Sequence, residues 1–373
     1  MRTEIVKVEP QAVADPAVRR AAEVLRDGGV VVFPTETVYG VAARADNAEA
    51  IRRLRSIKSR DGEKAFTVHL GDRDAVGEFT NELSPMAKRI VRRAWPGPLT
   101  IVLAVSDPLA APVMVGRNGS ARDAIFFHDT VGLRCPDHAV ALEILRGVNG
   151  PVVASSANLA GRTAPLDGTE ALRDMEGLVD LVVDAGPTRY AKASTVVRVE
   201  RDRFEVLREG VLDAGMIQRM SKVRILFVCS GNTCRSPMAE ALAKSILAER
   251  LGCGIDELPE KGAIVQSAGT GGGIGGATPE AVAAMRRRGL DIDDHVSTPL
   301  SAEMLHAADH VYAMTQGHLR RIAELVPSAA DRASLLLHDQ DLNDPIGGSQ
   351  EEYERCAQSI ERVLRERLQE VSL

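Results

Sequence analysis

Apolar positions in the second half of the chain form short continuous runs, and stretches with helical periodicity lie between them. The runs predict strands at residues 225–228, 264–267, 310–314 and 334–337. The other stretches predict helices at residues 236–251, 279–288, 318–324 and 349–369. Nearly continuous apolar strands suit burial on both faces of a sheet. The alternation therefore predicts an α/β domain with a parallel sheet covered by helices on both sides.

The first half of the chain mixes apolar strand patterns with fewer helical ones. Its apolar runs predict strands at residues 30–33, 99–105, 152–154, 181–183, 194–199 and 203–207. Helical periodicity marks residues 48–57 and 85–93. Strands interspersed with helices in this way are typical of an α/β or α+β domain.

A seam between two domains is predicted at residues 212–222. Two predicted strands flank the charged turn Arg201-Asp202 and end before Gly210, and a new apolar run begins at Val223. The chain has 373 residues, about twice the usual length of a domain. We therefore expect one domain over residues 1–212 and a second over residues 223–373.

Composition limits the possible classes of function. The formal net charge of −6 argues against a broad basic surface for nucleic acid. No apolar run is long enough for a membrane helix, and the N-terminus lacks the apolar core of a signal peptide. The five cysteines form an odd set without disulfide-like spacing, which favours a reducing compartment. These features predict a soluble, cytoplasmic protein that does not enter membranes.

The strongest chemical signal is a loop of small residues between a predicted strand and a predicted helix. The loop begins at Cys229, ends at Arg235 and contains Ser230, Gly231, Asn232, Thr233 and Cys234. Backbone N–H groups in such a loop, together with the N-terminus of the following helix, form a nest for an anion. Arg235 adds a bidentate fork for phosphate oxygens. The same positive field favours the thiolate of Cys229, which can then attack phosphorus.

A proton donor for the leaving group is available at Asp344, which is followed by the stiffening residue Pro345. A redox or core cysteine pair followed by an ordinary helix cap is the alternative explanation of a bare Cys-x5-Arg pattern. The helix start at Ser236-Pro237 and the downstream Asp-Pro favour the phosphate site.

From Val223 to its end, the chain resembles the low-molecular-weight protein tyrosine phosphatase family. The shared features are the cysteine loop, the sequence Ser267-Ala268-Gly269-Thr270 and the stretch 308–318 with Met314-Thr315 and His318. The resemblance implies that Cys229 is the nucleophile, Arg235 the phosphate ligand and Asp344 the general acid. It also implies that Ser236 steadies the thiolate and that the phosphatase needs no cofactor.

Two features favour phosphoarginine over phosphotyrosine as the substrate. Thr233 stands where tyrosine-directed members usually carry an apolar residue, and residues 344–349 read Asp-Pro-Ile-Gly-Gly-Ser. Bacterial protein-arginine phosphatases resemble this chain in both features. Phosphotyrosine is second, and arsenate reduction is third because Cys253 and Cys356 lack a clear placement for it. Cys234 is either a disulfide partner that protects Cys229 or a small residue that fills the loop.

In the first half, hydroxyls and cations gather at the ends of predicted strands. The turn Pro34–Gly40 contains three Thr or Tyr hydroxyls, residues 58–69 supply cations and an imidazole, and Ser156-Ala157-Asn158 follows another strand. Together these groups favour the binding of a polyphosphate, although each alone is typical of a surface turn. No Gly-x4-Gly-Lys-Ser/Thr sequence is present, so a P-loop fold does not explain them.

These motifs resemble the YrdC-type threonylcarbamoyl-AMP synthases over residues 6–211. The ordered matches are 34–40, Lys58-x-Arg60, 95–100, 156–158, 194–196 and Arg208-x-Gly210. The resemblance implies a twisted mixed-sheet α/β fold and a reaction of L-threonine, bicarbonate and ATP that yields threonylcarbamoyl-AMP and pyrophosphate. It implies threonine contacts by Thr37, His69, Arg134 and Ser194, and ATP contacts by Lys58, Arg60, Lys64, Thr130, Ser156 and Arg208. Magnesium is expected with ATP, and tRNA or tRNA-modification proteins are candidate partners.

Two departures from the family pattern concern the first domain. Asp61 replaces a proline beside the expected phosphate ligands and is expected to weaken ATP binding. The segment 106–129, with Arg117 and Arg122, is longer than usual and is expected to form a lid or a mobile loop. The leading hypothesis is thus a bifunctional synthase and phosphatase that acts on phosphorylated proteins. The alternative is a phosphatase whose first domain only binds nucleotide or RNA.

Overall fold

The computed structural model describes residues 2–59, 65–272 and 275–373. The chain divides into two compact units, Met1–Met220 and Ser221–Leu373. Within the described residues, no helix combines the length and the apolar character needed to cross a membrane.

The first unit is built on one long mixed sheet. Its strands are β1 (Glu4–Lys7), β2 (Val31–Phe33), β3 (Gly40–Arg44), β4 (Thr67–His69), β5 (Leu99–Ala104), β6 (Phe126–Phe127), β7 (Thr130–Arg134), β8 (Val152–Ser156), β9 (Leu181–Asp184), β10 (Thr195–Glu200) and β11 (Arg203–Arg208). The order is β1-β9-β2-β3-β8-β4-β7-β5-β10-β11, and β6 pairs with β7. The sheet contains both parallel pairs, such as β5 with β10, and antiparallel pairs, such as β5 with β7. The expected mixed-sheet α/β fold is confirmed.

Helices cover this sheet because its central strands are apolar on both faces. The helices are α1 (Pro16–Arg26), α2 (Ala48–Ile57), α3 (Pro85–Ala94), α4 (Gly119–Ile125), α5 (Ala139–Gly147), α6 (Gly168–Met175) and α7 (Ala214–Ser221). On β2, Val31 and Phe33 enter one buried cluster, while Val32 enters the other. This alternation follows from the two-residue period of a strand. Each face therefore needs its own covering layer.

The segment between Ser106 and Asp129 has regular structure, and the lid or mobile loop expected there stays a prediction. It contains two short 3-10 turns, Pro108–Ala110 and Pro112–Met114, followed by α4. Its apolar residues Val113, Ala121 and Ile125 are buried in the larger core. The sequence pattern hid this because the helix is short and its apolar residues are separated by Gly, Ser, Arg and Asp.

The second unit is a four-stranded parallel sheet, as predicted. The strands are β12 (Val223–Cys229), β13 (Ala263–Gly269), β14 (His310–Ala313) and β15 (Ala333–Leu335), in the order β13-β12-β14-β15. The helices are α8 (Arg235–Leu251), α9 (Pro279–Arg286), α10 (Ala302–Ala307), α11 (Gln316–Leu325) and α12 (Gln350–Arg367). Phe227 joins a cluster with residues of α8 and α12, whereas the next residue, Val228, joins a cluster with α10 and α11. The sheet is therefore covered on both faces.

Candidate active sites

The first candidate site lies where the central strand β12 of the second unit passes into α8. Cys229 is the last residue of β12 and is 3% exposed. Its Sγ lies 2.9 Å from Ser236 Oγ and accepts a hydrogen bond from the backbone N–H of Asn232 at 3.2 Å. Both contacts stabilise negative charge on sulfur, and the N-terminus of α8 adds positive potential. This arrangement favours a nucleophilic thiolate.

Asn232 fixes the shape of the loop. It has a left-handed φ of 55°, and its side chain is fully buried. The Nδ2 group donates to Ser236 Oγ at 2.9 Å and to Ser267 Oγ at 2.8 Å, while Oδ1 accepts from the Thr298 N–H at 2.8 Å. These three bonds offset the cost of the left-handed backbone, which Asn tolerates better than most residues.

The loop rests on the end of β13. The N–H groups of Thr270 and Gly271 donate to the carbonyls of Cys229 and Ser230, both at 2.9 Å. A Cβ at Gly269 would lie only 2.7 Å from the Ser230 carbonyl oxygen. The glycine of the Ser-Ala-Gly-Thr sequence thus lets the loop backbone approach closely, which a larger residue would prevent.

Arg235, the last residue of the cysteine loop, forms an ion pair with Asp344. The Arg235 side chain is 5% exposed and also donates to the Leu342 carbonyl at 3.0 Å, whereas Asp344 is 39% exposed. Arg235 Nε is buried without a hydrogen-bond partner among the described residues. The guanidinium therefore retains a buried donor for an anion, and the predicted general acid lies beside it.

His318 links α11 to the loop. Its Nε2 lies 2.9 Å from Ser230 Oγ, and its Nδ1 lies 2.9 Å from Thr315 Oγ1. Burial, reinforced by the nearby charge of Arg235, lowers the pKa of His318. A neutral imidazole can bridge two hydroxyls in this way, which holds the first residue after the nucleophile in place.

All five cysteines are free thiols. Cys234 lies in a polar cluster with Tyr353 OH at 3.4 Å and Thr278 Oγ1 at 3.6 Å. Burial raises the pKa of Cys356 to about 12, which disfavours the thiolate that a redox relay needs. Cys253 packs beside the core of this unit. These placements do not favour the arsenate-reductase alternative.

The second candidate site is a cleft of about 570 Å³ in the first unit, over one face of the sheet. Of the predicted ligands, Lys58, His69, Arg134, Ser156, Ser194 and Arg208 line it. Thr37 touches one of these residues, since Arg134 Nη2 donates to its hydroxyl at 2.6 Å. Arg60, Lys64 and Asp61 lie outside the described residues. The mixed topology brings these groups together because strands from distant parts of the sequence lie side by side and turn alternate residues to one face of the sheet.

Thr130 is placed elsewhere. It begins β7, whereas Arg134 ends it, so the two Cα atoms are roughly 13 Å apart. Its hydroxyl donates to the Phe127 carbonyl at 2.8 Å, and it is absent from the cleft lining. Its predicted contact with ATP stays a prediction.

The imidazole of His69 is neutral. Burial and the charge of Arg134 lower its pKa to about 3. Its Nδ1 lies 3.2 Å from the Thr67 carbonyl, which can only accept, so Nδ1 carries the proton. The other nitrogen, Nε2, is thus an acceptor, available to a hydroxyl or an ammonium.

Two cations in the cleft also organise its walls. Lys58 Nζ donates to the carbonyls of Ser156 and Asn158 at 3.0 and 2.6 Å. Arg208 Nη2 donates to the Ser194 carbonyl at 2.7 Å and contacts its hydroxyl at 3.2 Å. Each cation thus fixes a small-residue strand end and adds positive potential beside it.

Sequence reasoning missed Glu36, Thr100 and Asn158 as parts of this site. Glu36 Oε1 accepts from Arg134 Nη2 at 2.9 Å, and Thr100 Oγ1 lies 3.0 Å from Ser194 Oγ. Asn158 Oδ1 accepts from Lys58 Nζ at 3.2 Å and from Ser156 Oγ. All three lie inside motifs that the sequence analysis singled out. The signal that could have pointed to Glu36 is a charged residue inside a buried turn.

Comparisons with known proteins cover both units. The family model Sua5/YciO/YrdC, described as telomere recombination, matches residues 23–210. The model described as low molecular weight phosphotyrosine protein phosphatase matches residues 224–372. The threonylcarbamoyl-AMP synthase of Bacillus subtilis is 35% identical over 205 residues, which are 55% of this chain and 56% of that protein. The chain thus spans little more than half the length of that relative.

Two solved structures each resemble part of the chain. The Sua5 protein of Pyrococcus abyssi complexed with L-threonine has 22% identity and a TM-score of 0.51 over 71% of this chain and 92% of its own. This likeness concerns the fold. The YwlE arginine phosphatase of Geobacillus stearothermophilus has 36% identity and a TM-score of 0.34 over 39% of this chain and 93% of its own.

Proposed function

The chain belongs to the Sua5/YciO/YrdC family and carries a fused low-molecular-weight phosphatase domain, and from this premise we propose that it is a bifunctional enzyme. The first unit would make threonylcarbamoyl-AMP and pyrophosphate from L-threonine, bicarbonate and ATP, toward modification of tRNA. The second would dephosphorylate phosphoarginine in proteins. The observation that carries the phosphatase proposal is the contact of Cys229 Sγ with Ser236 Oγ and the Asn232 N–H.

Phosphoryl transfer would proceed through the cysteine. Cys229 Sγ forms a bond to phosphorus while the phosphorus–nitrogen bond of phosphoarginine breaks. The loop N–H groups and the guanidinium of Arg235 stabilise the charge on the three phosphoryl oxygens. Because Arg235 pairs with Asp344, the arriving phosphate replaces this carboxylate as the partner of the guanidinium.

Asp344, so released, would serve both halves of the reaction. The released carboxylate takes up a proton from solvent and gives it to the departing guanidino nitrogen. A water then attacks the phosphocysteine, the sulfur–phosphorus bond breaks, and Asp344 accepts the proton of that water. The partial exposure of Asp344, 39%, suits a group that exchanges protons with substrate and solvent.

Thr233 supports phosphoarginine as the substrate. Its Oγ1 lies 3.5 Å from Cys234 Sγ, so the hydroxyl has only a weak partner within the loop. Such a hydroxyl in the pocket wall can accept a hydrogen bond from a guanidinium, whereas the ring of a phenol needs an apolar wall. Phosphotyrosine is the alternative substrate, because the matching family model carries that description.

A direct comparison tests this choice. The full chain is given one carrier protein phosphorylated on arginine and, separately, on tyrosine, and kcat/KM is measured for each. We expect kcat/KM to be at least about tenfold higher for phosphoarginine, because phosphotyrosine would lack one polar contact in the pocket. An equal or reversed preference would reject phosphoarginine but not the phosphatase.

In the first unit, the cleft residues divide by chemistry. Neutral His69 and the Thr37 hydroxyl suit the polar groups of threonine, and Arg134 suits its carboxylate. Lys58, Ser156 and Arg208 suit phosphate oxygens. The described residues contain no group of three or more His, Cys, Asp or Glu that could hold a metal. Magnesium, which supplies charge neutralisation at the triphosphate, would thus be held mainly by the phosphates.

Pyrophosphate release tests the synthase. The chain is supplied with ATP, L-threonine and bicarbonate, and each is omitted in turn. We expect release only when all three are present. Release without threonine, or none at all from a chain whose phosphatase is active, would favour the alternative in which the first unit only binds nucleotide or RNA.

A further inference from the structure

The segment 106–129 takes no part in the proposed reaction, yet it is packed into the core of the first unit. Its helix α4 contacts α2. Ala124 and Ile125 of α4 are fully buried in one cluster with Ile57, at the end of α2, and Phe66, directly before β4. This packing places the end of α4 against the end of α2 and the start of β4.

Two consecutive carbonyls of α4 bind the two ends of the connection between α2 and β4. The N–H of Phe66 donates to the Ala124 carbonyl at 3.1 Å. Arg55, in the last turn of α2, donates from Nη2 to the Asp123 carbonyl at 3.0 Å. Both carbonyls lie in the last turn of α4, where carbonyls have no partner within the helix. The Arg55 guanidinium also lies 6.0 Å from the centroid of the Phe66 ring, so this one side chain joins all three elements.

A second tie holds the same segment to the other end of α2. Arg117 Nε donates to Asp46 Oδ2 at 3.2 Å, and Asp46 lies in the turn between β3 and α2. Asp46 also accepts two hydrogen bonds from Arg44, both at 2.8 Å. One carboxylate is thus shared by two guanidiniums, which are charge-assisted contacts of defined geometry. The segment is therefore fixed at both ends of α2.

The elements that the segment holds carry part of the cleft wall. Lys58 caps the C-terminus of α2, and Lys58 and Ala65 both line the cleft. A shift of the end of α2 would move Lys58 directly. His69 and Arg134, in contrast, are fixed by the pairing of β4 with β7. The residue that suits phosphate oxygens therefore depends on α4 more than the residues that suit threonine.

We infer that segment 106–129 positions Lys58 for a nucleotide, with Arg55 and Arg117 as its positioning residues. Among the residues that the structure describes, neither arginine lines the cleft, so each acts through α2. The inference rests on the proposed synthase function in taking the nucleotide to be ATP. It goes beyond that function because it assigns the segment an effect on one substrate and not on the other.

Arg55→Met tests the inference, since it keeps the apolar stem beside Phe66 and removes the donor to the Asp123 carbonyl. The probe is α,β-methylene-ATP, in which the bond that releases pyrophosphate cannot break. Its Kd is measured by calorimetry on the full chain, and the KM for threonine is measured by pyrophosphate release. We expect the Kd to rise at least about fivefold and the KM for threonine to change less than about twofold. Arg55→Lys retains a donor and should recover most of the affinity.

Arg52→Met is the matched control, because Arg52 lies on the same helix, has a side chain that is 72% exposed and pairs with Glu49. It should leave both values unchanged. Arg117→Met removes the second tie and should also weaken the nucleotide alone, which keeps the test available if Arg55→Met does not fold. Unchanged Kd values in both variants would overturn the inference. Weakening of nucleotide and threonine by the same factor would overturn it too, since the segment would then only stabilise the fold.

The binding measurement separates this inference from the proposed function. A wild type that binds α,β-methylene-ATP but releases no pyrophosphate would remove the synthase function. Weaker binding by Arg55→Met, with Arg52→Met unchanged, would in that case still support the role of the segment. A wild type that does not bind the analogue would overturn both.

Discussion

At the residue scale, each site surrounds one reactive side chain with buried groups that set its chemistry. In the phosphatase unit, Ser236 and the Asn232 N–H point at the Cys229 sulfur. In the other unit, burial and the charge of Arg134 lower the pKa of His69 and keep it neutral. Each arrangement makes a specific prediction for a single substitution.

Thr233→Ile is expected to move the phosphatase toward phosphotyrosine. The substitution removes the hydroxyl and enlarges the apolar wall, so kcat/KM should fall for phosphoarginine and rise for phosphotyrosine, each by about tenfold. Thr233→Val is the control, since it removes the hydroxyl at nearly constant volume. It should lower the phosphoarginine rate with little gain for phosphotyrosine. An unchanged ratio in both variants would contradict the assigned role of Thr233.

His69→Gln is expected to make the chain less sensitive to acid. The folded pKa of about 3 lies below the ordinary value of 6.5, so between these two values the unfolded state binds a proton that the folded state does not. Stability is therefore lost as the pH falls from 6.5 toward 3, by about 2 kcal/mol at pH 5. Denaturant unfolding of wild type and variant at pH 5 and pH 8 measures this. A loss between the two pH values that is the same for both proteins would contradict it.

At the element scale, the ends of strands supply the chemistry in both units. β12 ends at Cys229 and β13 ends at Gly269, which lets the catalytic loop approach its backbone. β7 ends at Arg134, while β8 ends at Ser156. Alternate residues of a strand, such as Gly132 and Arg134 of β7, line the cleft. The face of the sheet that a residue occupies thus decides whether it can reach this site.

Gly269→Ala should damage catalysis through the loop backbone. The added Cβ would meet the Ser230 carbonyl oxygen at 2.7 Å, and backbone cannot move aside as a flexible side chain can. A shift of this size in the phosphate cradle is expected to lower phosphatase kcat/KM by about 10- to 100-fold. Gly254→Ala is the control, because its nearest contact is 3.4 Å, an ordinary van der Waals distance. Similar rates for both variants would mean that the loop does not depend on this close approach.

The second unit was easier to predict than the first, for reasons that lie in particular elements. Its strands are apolar at successive positions, as in Ile225 to Val228, and all four run parallel, so periodicity and order sufficed. In the first unit, β4 is three residues long and β3 is Gly-Val-Ala-Ala-Arg. Neither was predicted, because their pairing in the mixed sheet depends on residues far away in the sequence.

The two sites show the same limit of prediction from sequence. The Cys229 loop is contiguous, so its chemistry could be read from neighbouring residues. Glu36 could not be assigned, because its partner Arg134 is distant in sequence and its burial depends on the completed sheet. Residue type alone does not reveal which polar atoms a fold leaves without partners.

At the scale of the whole molecule, the central claim is that one chain carries two chemically independent sites. The phosphatase residues fall within Ser221–Leu373 and the described cleft residues within Met1–Met220. Each unit has its own buried clusters. A change confined to the nucleophile of one site should therefore leave the other reaction intact.

The most direct test uses full-length Cys229→Ser. Its hydrolysis of phosphoarginine protein and its pyrophosphate release from ATP, L-threonine and bicarbonate are measured on one preparation beside the wild type. We predict that the phosphatase rate falls by at least about a thousandfold, because the hydroxyl is a far weaker nucleophile than the thiolate. Pyrophosphate release should stay within about twofold of wild type. Loss of both activities together, or retention of the phosphatase, would contradict the claim.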